Sequence, residues 1–180
     1  ERGFKMKKLF IILVLLFPDV LIAYECSFDQ LVPGKTKKQL EELNIYAYGP
    51  EENGIFIYNI NSFDICKEDL SKVHGLTINL FFKKNDLIKV NYENNIPNNS
   101  ILFDIANNVY KLNFRRDQTK VLKKQPESYS LDKGQNSYFY LNVKANDNQR
   151  EFLEIIDDTK IDELEKAILK SEEPKQWKKK

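Results

Sequence analysis

Histidine occurs once in this 180-residue chain, cysteine twice, and methionine and tryptophan once each. So few imidazoles and thiols exclude metal sites assembled from several His and Cys ligands. Every nucleophile–histidine mechanism would have to pass through His74 alone. Glycine is scarce as well, at positions 3, 34, 49, 54, 75 and 134, which rules out a dinucleotide fingerprint and a phosphate-cradling P-loop. Six Gly and six Pro likewise exclude collagen-like and Pro-rich chains. An excess of one charge is also missing: 28 basic against 27 acidic residues give a net charge of +1. That balance leaves no electrostatic footprint for nucleic acid. No Gly-x-Ser-x-Gly elbow, His-Glu-x-x-His helix or Asp-x-Asp-x-Asp calcium loop is present.

What the chain does have is carbon. Apolar residues make up 42% and aromatics 12%, with twelve Phe and nine Tyr. This is a foldable globular composition, long enough for one domain with a real core. At the N-terminus, Lys7 and Lys8 precede the unbroken apolar run Leu9 to Phe17, which Pro18 and Asp19 interrupt. Basic residues, a short apolar stretch and a helix breaker form the pattern of a secretory signal peptide. A membrane-spanning helix needs about 20 apolar residues, more than this run supplies. The expectation is a signal peptide over 1–23, with 1–5 an upstream extension before Met6, and a mature protein that starts near Tyr24 with no transmembrane anchor. Cys26 follows Tyr24 and Glu25 rather than the small residues of a lipid-attachment site.

Cys26 and Cys66 are then an even pair in an exported chain, which predicts a structural disulfide. The spacing is unlike the Cys-x-x-Cys of redox pairs. A bridge closing a loop of roughly 40 residues is worth about 4 kcal/mol on the chain-entropy model.

Along the mature chain, Thr36 and Gln39 have capping-box spacing, so a short helix is expected from Lys37 to about Asn44. Ile45 to Tyr48 and Ile55 to Ile60 read as the arms of a hairpin whose turn closes on Asn53-Gly54. A turn or two of helix is expected over Cys66 to Val73. Leu76 to Phe82 and Leu87 to Tyr92 read as strands, the second with Ile88, Val90 and Tyr92 on one face and Lys89 and Asn91 on the other. Ile101, Leu102, Ile105, Val109 and Leu112 form one stripe, which predicts a helix over Ile101 to Phe114 after a stop-and-cap cluster at Pro97 to Ser100. Lys120 to Lys133 is polar and shows no period. Ser137 to Val143 alternates Tyr138, Tyr140 and Asn142 against Phe139, Leu141 and Val143, with Arg150 to Ile156 as its hairpin partner. Thr159 and Asp162 predict a cap for a final amphipathic helix carrying Ile161, Leu164, Ile168 and Leu169. The fold class expected is α+β: an antiparallel sheet built from hairpins, with about three helices packed on one face. One domain spans 24–171, and 172–180 is a charged tail containing Trp177.

Groups with chemical potential are few. His74, beside Gly75 at an element boundary, reads as a turn residue. Asp157 with Asp158 and Glu51 with Glu52 are sequence neighbours, and two-carboxylate hydrolysis needs carboxyls that face each other across a site. Asp157 and Asp158 are explained by the charge preference of a helix N-terminus. Lys83-Lys84, Lys123-Lys124 and Lys178 to Lys180 read as solvated surface. Asn98-Asn99-Ser100 has the form of a glycosylation acceptor.

Val32 to Leu40, with its Gly34-Lys35-Thr36-Lys37-Lys38-Gln39-Leu40 core, resembles the helix opening of small exported α+β proteins of the BamE/SmpA type. The resemblance implies a role in cell-envelope assembly or interaction. This chain differs from that type in its cysteine pair, its longer C-terminal half and the absence of a lipid-attachment cysteine. The expectation is a periplasmic or secreted module, without cofactor, catalytic site or metal, that binds an envelope protein or a small ligand. The alternatives are a secreted hydrolase with a carboxylate-based site and a secreted inhibitor or effector.

Overall fold

The computed structural model of the chain describes residues 26–46, 49, 51–52, 54–66, 73–95, 100–118, 125–145 and 148–172. The signal segment, Pro97 to Asn99, Lys123-Lys124 and the tail after Glu172 lie outside them.

Seven antiparallel strands form one sheet: β1 (Glu51–Glu52), β2 (Ile55–Asn61), β3 (Leu76–Lys83), β4 (Asp86–Asn94), β5 (Glu127–Lys133), β6 (Asn136–Ala145) and β7 (Asn148–Asp157). β1 is a two-residue ribbon on the edge, so the working sheet has six strands. The spatial order is β1-β2-β3-β4-β7-β6-β5. Two meanders, β1 to β4 and β5 to β7, therefore meet at a single seam where β4 pairs with β7. The seam register sets Val90 opposite Ile155, Tyr92 opposite Leu153 and Asn94 opposite Glu151.

Strict alternation decides which face is dry. On β3 Leu76, Ile78, Leu80 and Phe82 are buried while their neighbours are half-exposed, the period-2 pattern of a sheet with one packed face. The same face carries Tyr58 and Ile60 from β2, Val90 and Tyr92 from β4, Tyr138 and Tyr140 from β6, and Leu153 and Ile155 from β7. Three short helices cover it: α1 (Lys37–Glu41), α2 (Ser62–Ile65) and α3 (Ile101–Asp104), the last continuing as a π-helical turn over Ile105–Val109. They contribute Leu40, Ile65, Ile101, Leu102, Phe103, Ile105 and Ala106 to the core. The fold class is thus α+β, as the sequence predicts. A fourth helix, α4 (Ile161–Glu172), lies on the opposite face, where Leu164 and Ala167 pack on Ile55 and Ile88.

The N-terminal strap is fastened three ways. Cys26 and Cys66 form the expected disulfide, with Cα atoms 4.0 Å apart. Phe28 and Leu31 are fully buried. The Tyr110 hydroxyl donates to the Phe28 carbonyl oxygen at 2.8 Å. Further on, Thr36 caps α1 as predicted: the Gln39 N–H donates to Thr36 Oγ1 at 3.3 Å, and the Thr36 N–H to Gln39 Oε1 at 2.8 Å. Gly49 lies so close to β2 that a Cβ there would meet the Ile57 carbonyl oxygen at 1.8 Å.

Several local readings are corrected. Glu51–Glu52 is the hairpin partner of β2, in register Glu52↔Ile55; of the strand expected over Ile45 to Tyr48, Ile45 is buried outside any strand, Tyr46 is exposed, and 47–48 lie outside the described residues. Asp64 lies within α2, a helical turn before Cys66, and accepts from the Asn61 N–H at 2.9 Å; the turn expected over Cys66 to Val73 falls on 67–72, outside the described residues. A β-bulge between Phe81 and Phe82 pairs Phe81 with Lys89 and Phe82 with Leu87, leaving Ile88 as the extra residue. The bulge turns Ile88 away from Val90 and Tyr92 and places it under α4. The helix expected over Ile101 to Phe114 stops at Val109, because Lys111 and Asn113 take left-handed backbone conformations (φ 55° and 57°). Asn107 then bonds the Phe114 backbone, accepting from its N–H at 2.7 Å and donating to its carbonyl at 3.1 Å. The unread segment ending at Lys133 contains β5, the far edge strand. In α4 Leu164 is buried, but Leu169 is 63% exposed. Asp157 supplies the cap before α4, accepting from the Thr159 N–H at 2.9 Å and hydroxyl at 2.7 Å.

Candidate functional site

At one end of the packed face the apolar pattern breaks. In the strand register Glu127 of β5 stands opposite Asn142 of β6, Asn142 opposite Glu151 of β7, and Glu151 opposite Asn94 of β4. All four side chains are buried, Glu151 completely. A row of two carboxyls and two carboxamides across four strands is unusual inside a small domain, because each buried polar group must be hydrogen-bonded to offset its lost hydration.

Glu151 is well served. One carboxylate oxygen accepts from the Tyr140 hydroxyl at 2.6 Å. The other accepts from Asn94 Nδ2 at 2.8 Å and from the Leu102 N–H, in the first turn of α3, at 3.3 Å. Burial pushes the carboxyl above its ordinary range, against the pull of these donors and of Arg116. The Tyr140 hydroxyl is raised too, first by burial and then by the neighbouring Glu151 charge. Glu127 accepts from Tyr129 at 3.2 Å. Asn142, 1% exposed, is the exception: neither atom of its carboxamide has a hydrogen-bond partner.

An aromatic layer roofs the row. Phe103 packs edge-on to Tyr140 at 5.4 Å and to Tyr129 at 5.9 Å, and Phe114 stacks on Tyr129 at 5.3 Å. The Arg116 guanidinium lies 4.4 Å over the Phe103 ring, a cation–π placement. It also opposes the burial-driven rise of Asp104.

The other face of the same strands is open. Phe139 of β6 is 39% exposed. Leu141 and Phe152, directly opposite each other across β6 and β7, are half-exposed beside it. In the first meander the matching outer residues Ile57 and Phe81 lie against α4 and its cluster. Among the described residues, one half of the outer face is therefore covered by a helix and the other is not.

The remaining sequence candidates are scattered. His74 is exposed in the turn before β3, its ring edge-on to Phe63 at 6.1 Å. Glu51 is on the edge ribbon and Asp157 caps a turn, so neither pair of adjacent acids faces a common site. Lys83 forms an ion pair with Glu163 of α4, which holds that carboxyl below its usual range. Lys83, Lys84 and Lys160 line a shallow cleft of about 180 Å³ with Asp86 and Glu163. Among the described residues no group of three or more His, Cys, Asp or Glu side chains could hold a metal ion, and no helix is long and apolar enough to cross a membrane.

Sequence reading missed Glu127, Glu151 and Asn94, although a signal for the row existed. Asn142 was placed on the Tyr138–Tyr140 face. A two-residue turn after Ala145 would have put Asn142 opposite Glu151 by counting alone.

No family model, no curated protein and no solved structure matches this chain.

Proposed function

We propose that this chain is an exported, disulfide-braced binding module whose docking surface is the open outer face of β5 to β7. The observation that carries the reading is the exposure of Phe139 beside Leu141 and Phe152, on a face whose other half is already covered by an amphipathic helix. The molecule displays the mode of contact on itself: α4 lays Leu164 and Ala167 on apolar strand residues. The occupant proposed for the open half is an amphipathic helix of a partner protein. The Lys7 to Ala23 address pattern and the Cys26–Cys66 bridge support an oxidising, extracytoplasmic setting, periplasmic or secreted. The likeness of Gly34 to Leu40 to the BamE/SmpA helix opening supports a place in the envelope.

The test is a photo-crosslinking side chain at position 139, with the same group at exposed Phe63 as control, in protein exported by its own host. A single heterologous partner captured at 139, competed by unlabelled protein and lost in Leu141→Asp, is the expected result. Equal capture at both positions, or a crosslink only to a second copy of the chain, overturns the reading.

A further inference from the structure

We propose that β5 is a self-complementary edge through which two copies of this chain join their sheets across a two-fold axis at Ser130. The inference is independent of the docking surface and begins from the sheet order, in which β5 is the last strand. Among the described residues no backbone group outside β6 bonds to it. Its seven residues contain no Pro, and its pairing with β6 has no bulge. Two of the devices that blunt a sheet edge are therefore missing from this one.

Turn geometry shows which backbone groups wait there. A two-residue connection, Gly134-Gln135, joins Lys133 to Asn136, and the residues that flank such a hairpin turn bond each other. Bonded and non-bonded pairs alternate along an antiparallel ladder. Lys133, Leu131, Tyr129 and Glu127 therefore direct their N–H and C=O groups toward β6. Those of Ser128, Ser130 and Asp132 point away from the sheet, toward whatever lies alongside.

One register uses all of them. Centred on Ser130, antiparallel pairing sets Ser130 against Ser130 of the second copy and Ser128 against its Asp132. Centring on Tyr129 instead sets Asp132 against Pro126, which has no N–H, and centring on Leu131 sets Ser128 against Gly134 in the turn. The side chains agree with the Ser130 register. On the outer face the Ser128 hydroxyl meets the Asp132 carboxylate. On the packed face Tyr129 meets Leu131, which is 38% exposed in the single chain. Lys133 of the second copy stands opposite Glu127, a buried carboxyl that accepts from Tyr129 and forms no ion pair among the described residues. Lys133 gives one donor to the Tyr110 carbonyl oxygen at 2.9 Å, and an ammonium has two more. Each charge on the strand thus meets a hydroxyl or the opposite charge, and the two-fold axis repeats every such pair. The axis stands perpendicular to the sheet, so both open outer faces look the same way. A single strand pairing is small beside a permanent dimer interface, which makes the association weak and reversible.

Sedimentation velocity of the oxidised, full-length exported protein tests the edge. The mass is expected to rise from one copy toward two between about 10 µM and about 0.5 mM, the range of a weak contact. Ser128→Lys, facing Asp132, is expected to tighten the dimer several-fold, and Ser128→Asp to weaken it several-fold. Ser130→Pro removes an N–H that β6 does not use, a substitution edge strands accept, and is expected to abolish the dimer. Mild oxidation reads the register. Cα atoms of a bonded antiparallel pair lie about 5.5 Å apart, within disulfide reach, so Ser130→Cys is expected to link two copies. Ser128→Cys is expected not to, because the two Cys would lie about 13 Å apart along the strands. A single-copy mass at every concentration overturns the proposal. So does a dimer indifferent to both Ser128 changes, or equal linking at 128 and 130. Capture of a partner at position 139 reads the docking surface separately, so either reading can fail alone.

Discussion

The two meanders share one sheet and one core, yet their packed faces are built on different principles. Between β2 and β4 that face reads Tyr58, Ile60, Ile78, Leu80, Phe82, Val90 and Tyr92, with two hydroxyls: that of Tyr58, reached by Lys37 at its margin, and that of Tyr92, bonded to the Tyr110 hydroxyl at 2.6 Å. Between β5 and β7 it reads Glu127, Tyr138, Tyr140, Asn142 and Glu151, with only Leu153 and Ile155 wholly apolar. Apolar burial is non-directional, so the first half tolerates changes that preserve volume. Hydrogen bonds between buried groups are directional, and removing one partner leaves the other stranded. The first meander buries mainly apolar side chains, and the second buries a set of polar groups in one arrangement.

The sharpest way to break this contrast is to open a cavity in the apolar half. Leu80→Ala, at a fully buried position, is expected to cost about 2–5 kcal/mol, measured from urea midpoints at neutral pH. That is a large part of the roughly 5–15 kcal/mol typical of a domain. Replacing both Cys26 and Cys66 with Ser comes next, at about 2–4 kcal/mol. Amide exchange at Phe28 and Leu31 is expected to quicken in that variant, because the strap would be left with burial and Tyr110 alone.

A matched pair of tyrosine substitutions sharpens the comparison further. Tyr140→Phe keeps the ring but takes a donor from Glu151, and is expected to cost about 1–3 kcal/mol. Tyr58→Phe removes a hydroxyl at the margin of the apolar half and is expected to cost less than about 1 kcal/mol. Equal effects would erase the distinction. The smallest effect is expected on the outer face, where Phe139→Ser is predicted to leave stability within about 0.5 kcal/mol while weakening capture of the docking partner.

How far the sequence foretold this depends on what made each element fold. The disulfide, the Thr36 cap and strands β3, β4, β6 and β7 were legible, because alternation and local hydrogen bonding fix them. β5 was not: as an edge strand it buries Glu127 and leaves Ser128, Ser130, Leu131, Asp132 and Lys133 exposed, so no period of two appears. The face taken by Ile88 depends on a bulge that no residue type announces. The end of α3 depends on Asn107 reaching Phe114, a contact seven residues away that helical periodicity ignores. The polar row was hidden for a related reason. Glu151 looks like any solvent-facing acid until the seam with β4 and the roof of α3 are in place, and both are long-range facts.

The seam itself has a consequence for how the chain assembles. Every other strand pairing joins consecutive strands, whereas β4 and β7 are roughly sixty residues apart along the chain, so closing them carries the largest loop entropy and is expected late in folding. Apolar matching leaves the final alignment ambiguous. A slip of two residues toward Asn94 opposite Leu153 would still set Tyr92 against Ile155 and keep both packed faces inside. It would also separate Asn94 from Glu151 and lose the buried hydrogen bond between them. The costly hydrogen bond at the end of the seam thus works as a proofreading mark, which lets two independently formed halves dock in one alignment and penalises the near miss.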